Sequence, residues 1–255
     1  MSALVSVPWT TRGLRTLTLT EAKLLWRNPA ALFMAVAAPL AGVIVIGLIP
    51  GTRAPVKAFG GASVLQTYLP ILIAFATVIM AVFFMPVTLA TYRERGILRR
   101  MSTTPVTPRA MLGAQVAVNM GVQAAVTILV VVIAAAGFGT AVGQPLAFAV
   151  SFCLILAAAA ALGMLVTAVS VTTRAAGAVG YVLFLALMFF SGLWWPRAEM
   201  PPVLRHVSGF TPLGAGVQAL QDSAAGHWAH PLYYGVLAGY AIVCGVLASR
   251  FFRWE

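Results

Sequence analysis

Six long apolar stretches, separated by short polar segments, make up most of the 255-residue sequence. A helix needs roughly 20 mostly apolar residues to cross a hydrocarbon core about 30 Å thick, where it satisfies its own backbone hydrogen bonds. The interiors of the six stretches contain no Asp, Glu, Lys, Arg or His. The pattern predicts an all-α membrane protein, one domain over residues 1–255, with six transmembrane helices near 30–49, 68–90, 111–136, 146–170, 177–195 and 232–249. Pro39, Pro70 and Pro86 predict kinks in the first two spans.

The lysines and arginines lie mostly in the segments that would share one side of a membrane. Twelve of the sixteen fall before the first span, after the second and fourth spans, or after the sixth, and four fall in the remaining gaps. Positive charge in short loops marks the cytoplasmic side, so both termini are expected there. The Ala- and Gly-rich composition favours a bacterial source, and hence the bacterial inner membrane. This bias and the anionic lipids of the inner leaflet account for the net charge of +11, without a nucleic-acid partner.

The number and positions of the acidic residues exclude some classes of membrane protein. Only five occur, all outside the predicted hydrocarbon core: Glu21, Glu94, Glu199, Asp222 and Glu255. Proton-coupled carriers need an ionisable group inside the membrane, which these positions do not supply. The sequence also shows no convergent catalytic set and no metal-ligand spacing, and its two cysteines fall in predicted spans, where they are expected to pack as small apolar residues. If the protein works against a gradient, the energy is therefore expected to come from another polypeptide.

Residues 12–28 have the pattern of an amphipathic helix. At 100° per residue the leucines share one arc and the cations, including Arg27, lie on the other side. We expect this helix to lie flat at the inner membrane interface, in contact with lipid head groups. Glu21 falls within the leucine arc, where a lone carboxylate is costly without a cationic partner. An arginine from positions 93, 95, 99 or 100 is the expected partner.

Residues 92–104 combine basic and apolar positions at helical spacing. Arg95 and Arg99 are four residues apart, as are Ile97 and Met101, and the prolines that follow turn the chain back. The pattern predicts a cytoplasmic docking helix after the second span. A loop that is merely positive on the inside remains an alternative.

Residues 196–222, after the fifth span, are cut by prolines and glycines too often for one spanning helix, yet they are too apolar for a solvated loop. Short helices that dip into the outer leaflet fit both properties, with Trp194 and Trp195 at the membrane interface. A plain interfacial loop is the alternative.

These features together resemble the membrane subunits of type-2 ATP-binding-cassette (ABC) transporters, as found in bacterial drug and polyketide exporters and, more distantly, in the eukaryotic G-subfamily. The resemblance covers nearly the whole chain. It rests on the segment EAKLLWRNP at 21–29, on YRERGIL at 92–98 followed by Thr104 and Pro105, and on the prolines and leucine after the fifth span: Pro196, Pro201, Leu204 and Pro212.

The resemblance implies a role for each irregular segment. Residues 12–28 would be the connecting helix, with Glu21 and Arg27, and 196–222 would form re-entrant helices near an outer gate, with Pro196, Pro201 and Pro212. Residues 92–104 would be the coupling helix seated on the ATPase, through Glu94, Arg95, Ile97, Leu98 and Arg99. The second and fifth spans would line a substrate path, through Phe75, Met80, Phe83, Tyr181, Phe184 and Met188.

The same resemblance implies the partners. Because the sequence ends at Glu255, just after the sixth span, a separate ABC ATPase subunit is expected to bind ATP and Mg²⁺, with no cofactor on this chain. A second membrane subunit, identical or related, would complete the transporter. The expected function is a permease that exports hydrophobic or amphipathic molecules such as drugs, secondary metabolites or lipids. One alternative is a non-transporting assembly or immunity factor of the same fold. Another is a membrane-embedded enzyme, although the sequence shows no set of catalytic groups for it.

Overall fold

The computed structural model describes residues 11–59, 61–97, 108–194 and 200–251, with the backbone alone for 11–15, 58 and 108–110. All regular secondary structure of the described residues is helical, and they contain no β-strand. Its helices are α1 (Thr11–Trp26), α2 (Pro29–Leu48), α3 (Val64–Glu94), α4 (Pro108–Phe138), α5 (Pro145–Val169), α6 (Thr173–Phe190), α7 (Pro202–Phe210), α8 (Pro212–Ala224) and α9 (Pro231–Phe251).

Six of these helices are long and apolar enough to cross a membrane: α2, α3, α4, α5, α6 and α9. They coincide with the six predicted spans, so the predicted fold class is confirmed. α3 is longer than predicted, because the helix continues beyond the apolar stretch into residues that include polar ones at both ends. At the start, the Ser63 hydroxyl accepts from Gln66 N at 3.1 Å and the Gln66 side chain accepts from Ser63 N at 2.9 Å, which is a capping box.

Proline shapes the first two spans. A turn of π-helix, Phe33–Ala37, precedes Pro39 in α2, and a second, Met80–Phe84, precedes Pro86 in α3. A proline has no N–H to donate and its ring displaces the carbonyl one turn earlier, so one widened turn lets the helix continue. The predicted disturbance at Pro39 and Pro86 therefore takes the form of a π-turn, whereas α3 runs through Pro70 without one.

The core is built around α5 and the short helix α8. One apolar cluster joins α2, α3, α4, α5, α8 and α9, and a second joins α3, α5, α6, α8 and α9. Leu213, Val217 and Leu220 of α8 are each at most 1% exposed, so α8 belongs to the interior of the bundle. Two short helices, α7 and α8, thus occupy most of the segment for which the sequence predicted short helices.

The π-turn of α3 lies directly against two glycines. A Cβ on Gly163 of α5 would overlap the carbonyl oxygen of Ala81, and a Cβ on Gly180 of α6 would overlap that of Val82. Because Pro86 has no backbone N–H, a carbonyl one turn earlier in α3 lacks its usual donor within the helix. The glycines let two neighbouring helices approach the carbonyls of this stretch closely. The glycines therefore fix how α3, α5 and α6 fit together.

This contact predicts that Gly163→Ala and Gly180→Ala destabilise the protein, by about 1–3 kcal/mol each, because the methyl group forces the backbone apart. Gly177→Ala in α6 is the matched control, since its Cβ would lie 3.7 Å from Val87, an ordinary contact distance. Thermal unfolding of the purified protein in detergent measures the difference. Equal midpoints for all three variants would contradict the proposed packing.

Candidate functional site

The end of α3 is bound to the turn between α5 and α6. The Glu94 carboxylate accepts from Thr173 N at 2.8 Å through Oε1 and from the Thr173 hydroxyl at 2.6 Å through Oε2. Thr173 is the first residue of α6, so Glu94 satisfies an amide that the helix itself leaves without a partner. The carboxylate is exposed and remains accessible to solvent while it makes these bonds.

Arg93 makes the complementary contact with α5. Its Nη1 donates to the carbonyl of Ser170, the C-cap residue of α5, at 2.9 Å. A cation at a helix C-terminus and an anion at a helix N-terminus both oppose the helix dipole, so each charge stabilises the helix end that it contacts. The hydroxyls of Thr91 and Thr173 lie 3.3 Å apart between these two contacts. We call these five residues, Thr91, Arg93, Glu94, Ser170 and Thr173, the joint.

The predicted coupling helix begins within α3. Residues 92–94 are the last turn of α3, Arg95 is its C-cap, and Gly96 has the positive φ of +66° that ends many helices. Ile97 is half-buried against the apolar cluster of Met85, Leu89, Tyr92, Met111 and Leu112. Arg95 is exposed beside the joint. Leu98, Arg99 and the rest of the predicted coupling helix lie outside the described residues.

Glu21 of α1 is buried, with 4% of its surface exposed. The Tyr92 hydroxyl donates to both of its carboxylate oxygens, at 3.0 and 3.2 Å. Burial raises the pKa of the Glu21 carboxyl, and the hydrogen bond from Tyr92 opposes that rise in part. In the described part of the chain the partner is thus a tyrosine hydroxyl and not the expected arginine, because Arg93 turns its guanidinium to α5. Positions 99 and 100 lie outside the described residues.

α1 has an apolar side that the other described residues leave exposed. Leu19, Leu24 and Trp26 are 54%, 44% and 76% exposed, and Arg27 is exposed beside them. The buried side of α1 packs against α4 and carries Glu21. The segment is helical from Thr11 to Trp26, and its leucine arc is divided: Leu17 and Leu25 are half-buried, while Leu24 is exposed.

Four of the six predicted path residues form one aromatic cluster between α3 and α6. Phe75 and Phe184 meet edge to face at 5.5 Å between ring centroids, and Phe83 and Tyr181 do so at 6.1 Å. Tyr181 also lies 6.5 Å from Phe184, which joins the two pairs. Tyr181 is half exposed, so the cluster reaches the surface of the chain.

The other predicted site residues lie elsewhere. Met80 is 1% exposed on another side of α3, against Ala31 and Ala35 of α2, so it does not join the aromatic cluster. Met188 is also 1% exposed and packs in the core around Phe184. Of the predicted gate prolines, Pro201 is the N-cap residue of α7 and Pro212 begins α8, whereas Pro196 lies outside the described residues.

The sequence did not predict the hydrogen-bond partners of Glu94 and Glu21. Thr173 is 79 positions from Glu94, and Tyr92 is 71 positions from Glu21, so no local spacing connects them. A third feature was visible in the sequence: Gln115, Asn119, Gln123 and Thr127 recur every four residues in α4, and polar side chains within a span commonly face other helices.

Among the described residues, no group of three His, Cys, Asp or Glu side chains could hold a metal ion. The joint has hydrogen bonds to two helix ends and an exposed charged surface, which suits contact with another protein. Its hydrogen bonds connect the adjacent ends of α3, α5 and α6.

Comparison with known families identifies the domain to which the chain belongs. Comparison with curated protein sequences gives no significant match. The sequence profile of the ABC-2 type transporter membrane domain matches residues 12–224, which include α1, five of the six spans and both short helices. Over five sixths of its length, therefore, the chain has the pattern of that domain, and it belongs to the ABC-2 type transporter family as a membrane permease.

Proposed function

We propose that the chain is the permease subunit of an ATP-driven exporter and that a separate ABC ATPase subunit, which binds ATP and Mg²⁺, docks at the end of the bundle that carries the joint. The main support is that two adjacent residues of α3 hold two other spans, Arg93 at the end of α5 and Glu94 at the start of α6. A displacement of residues 92–97 would thus act on three spans together. The exposed positions of Glu94 and Arg95 leave polar surface for the ATPase.

We assign the substrate path to the side of α3 and α6 that carries the aromatic cluster. Its rings offer adaptable apolar contact, which suits hydrophobic or amphipathic molecules. The outer surface of α6 is apolar beyond the cluster, with Val182 and Phe189 67% and 45% exposed. A second membrane subunit facing this surface would complete the path, as a homodimer or a heterodimer.

We propose that α7 and α8 form the outer end of the substrate path. α7 begins after Pro201, α8 begins at Pro212, and α8 is buried against α3, α5 and α9, so movements of these spans reach it directly. We propose that both helices re-enter the membrane from outside and form the outer gate, with the prolines at their starts.

The first test is Glu94→Ala in the complex of permease and ATPase reconstituted in lipid. The substitution removes both bonds to Thr173, so membrane insertion should persist while the stimulation of ATP hydrolysis by substrate falls at least about ten-fold. Thr173→Val, which keeps the backbone N–H and loses the hydroxyl, should give a smaller loss in the same direction.

Ser249→Ala is the matched control for that experiment. It removes an exposed hydroxyl at the C-terminal end of α9, outside the joint. The control should behave as the wild type. If stimulation in Glu94→Ala also equals the wild type, the joint does not transmit ATPase movement, and a non-transporting membrane factor becomes the better interpretation.

The cation bias predicts the orientation in the bacterial inner membrane. In a cysteine-free background, Ala58→Cys should react with a membrane-impermeant maleimide added from outside, because it lies between the first and second spans. Ser102→Cys, after the second span, should react only once the membrane is opened. The reverse labelling pattern would overturn the assignment of both termini to the cytoplasm.

A further inference from the structure

A cavity of about 260 Å³ lies between α1, the start of α2, α3 and α4. It is separate from the aromatic cluster, which occupies the side of α3 that faces α6. One part of its wall is polar and the rest is apolar. Its polar lining residues are Glu21, Asn28, Thr88, Thr91, Tyr92, Gln115 and Asn119, and its apolar ones include Leu24, Leu25, Met80, Phe84 and Met85.

The polar wall continues into the bundle along α4. Gln115, Asn119, Gln123 and Thr127 are each less than 9% exposed and follow one another at one-turn intervals on the same side of the helix. Asn119 lines both this cavity and a smaller void of about 10 Å³ deeper in the bundle, which Gln123 also lines. Met80 and Met85 border both spaces, so the two are neighbours.

Two of these buried amides have atoms without a hydrogen-bond partner among the described residues: Oδ1 of Asn119 and Nε2 of Gln123. Buried polar atoms are normally paired, because an unpaired one costs about 1–3 kcal/mol. Asn119 donates through Nδ2 to the carbonyl of Gln115 at 2.9 Å, so its side chain is fixed while Oδ1 is left to accept. Asn119, which lines the cavity, thus carries a buried acceptor that the described chain does not use.

Glu21 is the one acidic side chain among the described residues that line the cavity. The Glu21 carboxylate accepts hydrogen bonds from Tyr92, and none of the described residues that line the cavity is Lys, Arg or His. A buried carboxylate is stable as an anion only with hydrogen bonds and a compensating charge. A ligand that brings a cation and several donors would satisfy both Glu21 and Asn119.

We propose that this cavity binds the ammonium head of an amphipathic amine, with the Glu21 carboxylate as its counter-ion and the Asn119 amide oxygen as a second acceptor. An alkylammonium has three N–H donors and no acceptor, which matches this wall. The site stands on the contacts of α1, α3 and α4, and it does not depend on the proposed export path.

The volume and exit of the cavity define the ligand further. Sites for whole drug-sized ligands generally exceed 300 Å³, so 260 Å³ suits a head group and its first carbons. Leu24 lines the cavity and is 44% exposed, so the apolar body would leave along α1. Such an amine is either an aminophospholipid of the membrane or a free cationic amphiphile.

The test uses the full chain in phosphatidylcholine nanodiscs and radiolabelled dodecylamine, with empty discs subtracted. Saturable binding is expected, and Glu21→Gln should weaken it at least about ten-fold, since it removes the charge and keeps an acceptor for Tyr92. Asn119→Leu should weaken binding several-fold while thermal stability is kept or raised, because it deletes an unpaired buried oxygen. Asp222→Asn, in α8 and away from the cavity, should leave the affinity unchanged.

Competition by lipid identifies the source of the amine. If phosphatidylethanolamine in the discs reduces the binding of dodecylamine, the lipid is the ligand. If it does not, a free amine is the ligand. Dodecanol, which lacks the charge, should not compete. Equal affinity in the wild type, Glu21→Gln and Asn119→Leu, or equal competition by dodecanol, would overturn the proposal and leave the cavity to water. Because none of these assays uses the ATPase, failure here does not affect the proposed export function.

Discussion

The contact between the Glu94 carboxylate and the first turn of α6 organises the packing of three spans. Glu94 binds both the backbone amide and the hydroxyl of Thr173, and its neighbour Arg93 binds the end of α5. About three turns before Glu94 in α3, the π-turn that precedes Pro86 lies against Gly163 of α5 and Gly180 of α6. The same three spans are therefore joined at two levels, first by charge at the helix ends and then by close backbone contact within the bundle.

α3 separates two environments of different chemistry. Toward α6 it presents phenylalanines that pack edge to face with Tyr181 and Phe184, without a charged group among them. Toward α1 and α4 it presents Tyr92, Thr88 and Thr91 beside the buried Glu21 and the amides of α4. We propose the first as the path of a substrate with a large apolar body and the second as the site of a small cationic head group. α3 borders both environments, and its end forms the joint, where we propose that the ATPase docks.

The sequence predicted the six spans because lipid demands long apolar helices whatever the tertiary contacts. It also singled out Glu94 and Glu21, since a carboxylate is rare in this composition. Their partners could not be predicted, because contacts across 79 and 71 positions depend on helix packing and leave no periodic signal. Met80 illustrates the same limit: its place in the second span was correct, but it packs against α2 and not in the aromatic cluster, and that depends on tertiary contacts.

Amide hydrogen exchange at the start of α6, resolved residue by residue, measures whether Glu94 holds this helix. The Thr173 amide is held by Glu94, whereas the Ala175 amide is held by Thr172 of its own helix, at 3.1 Å from the hydroxyl. If Glu94 holds α6, its replacement by alanine will accelerate exchange at Thr173 and leave Ala175 slow. Equal exchange at Thr173 in both proteins would show that α3 does not hold α6 through this carboxylate.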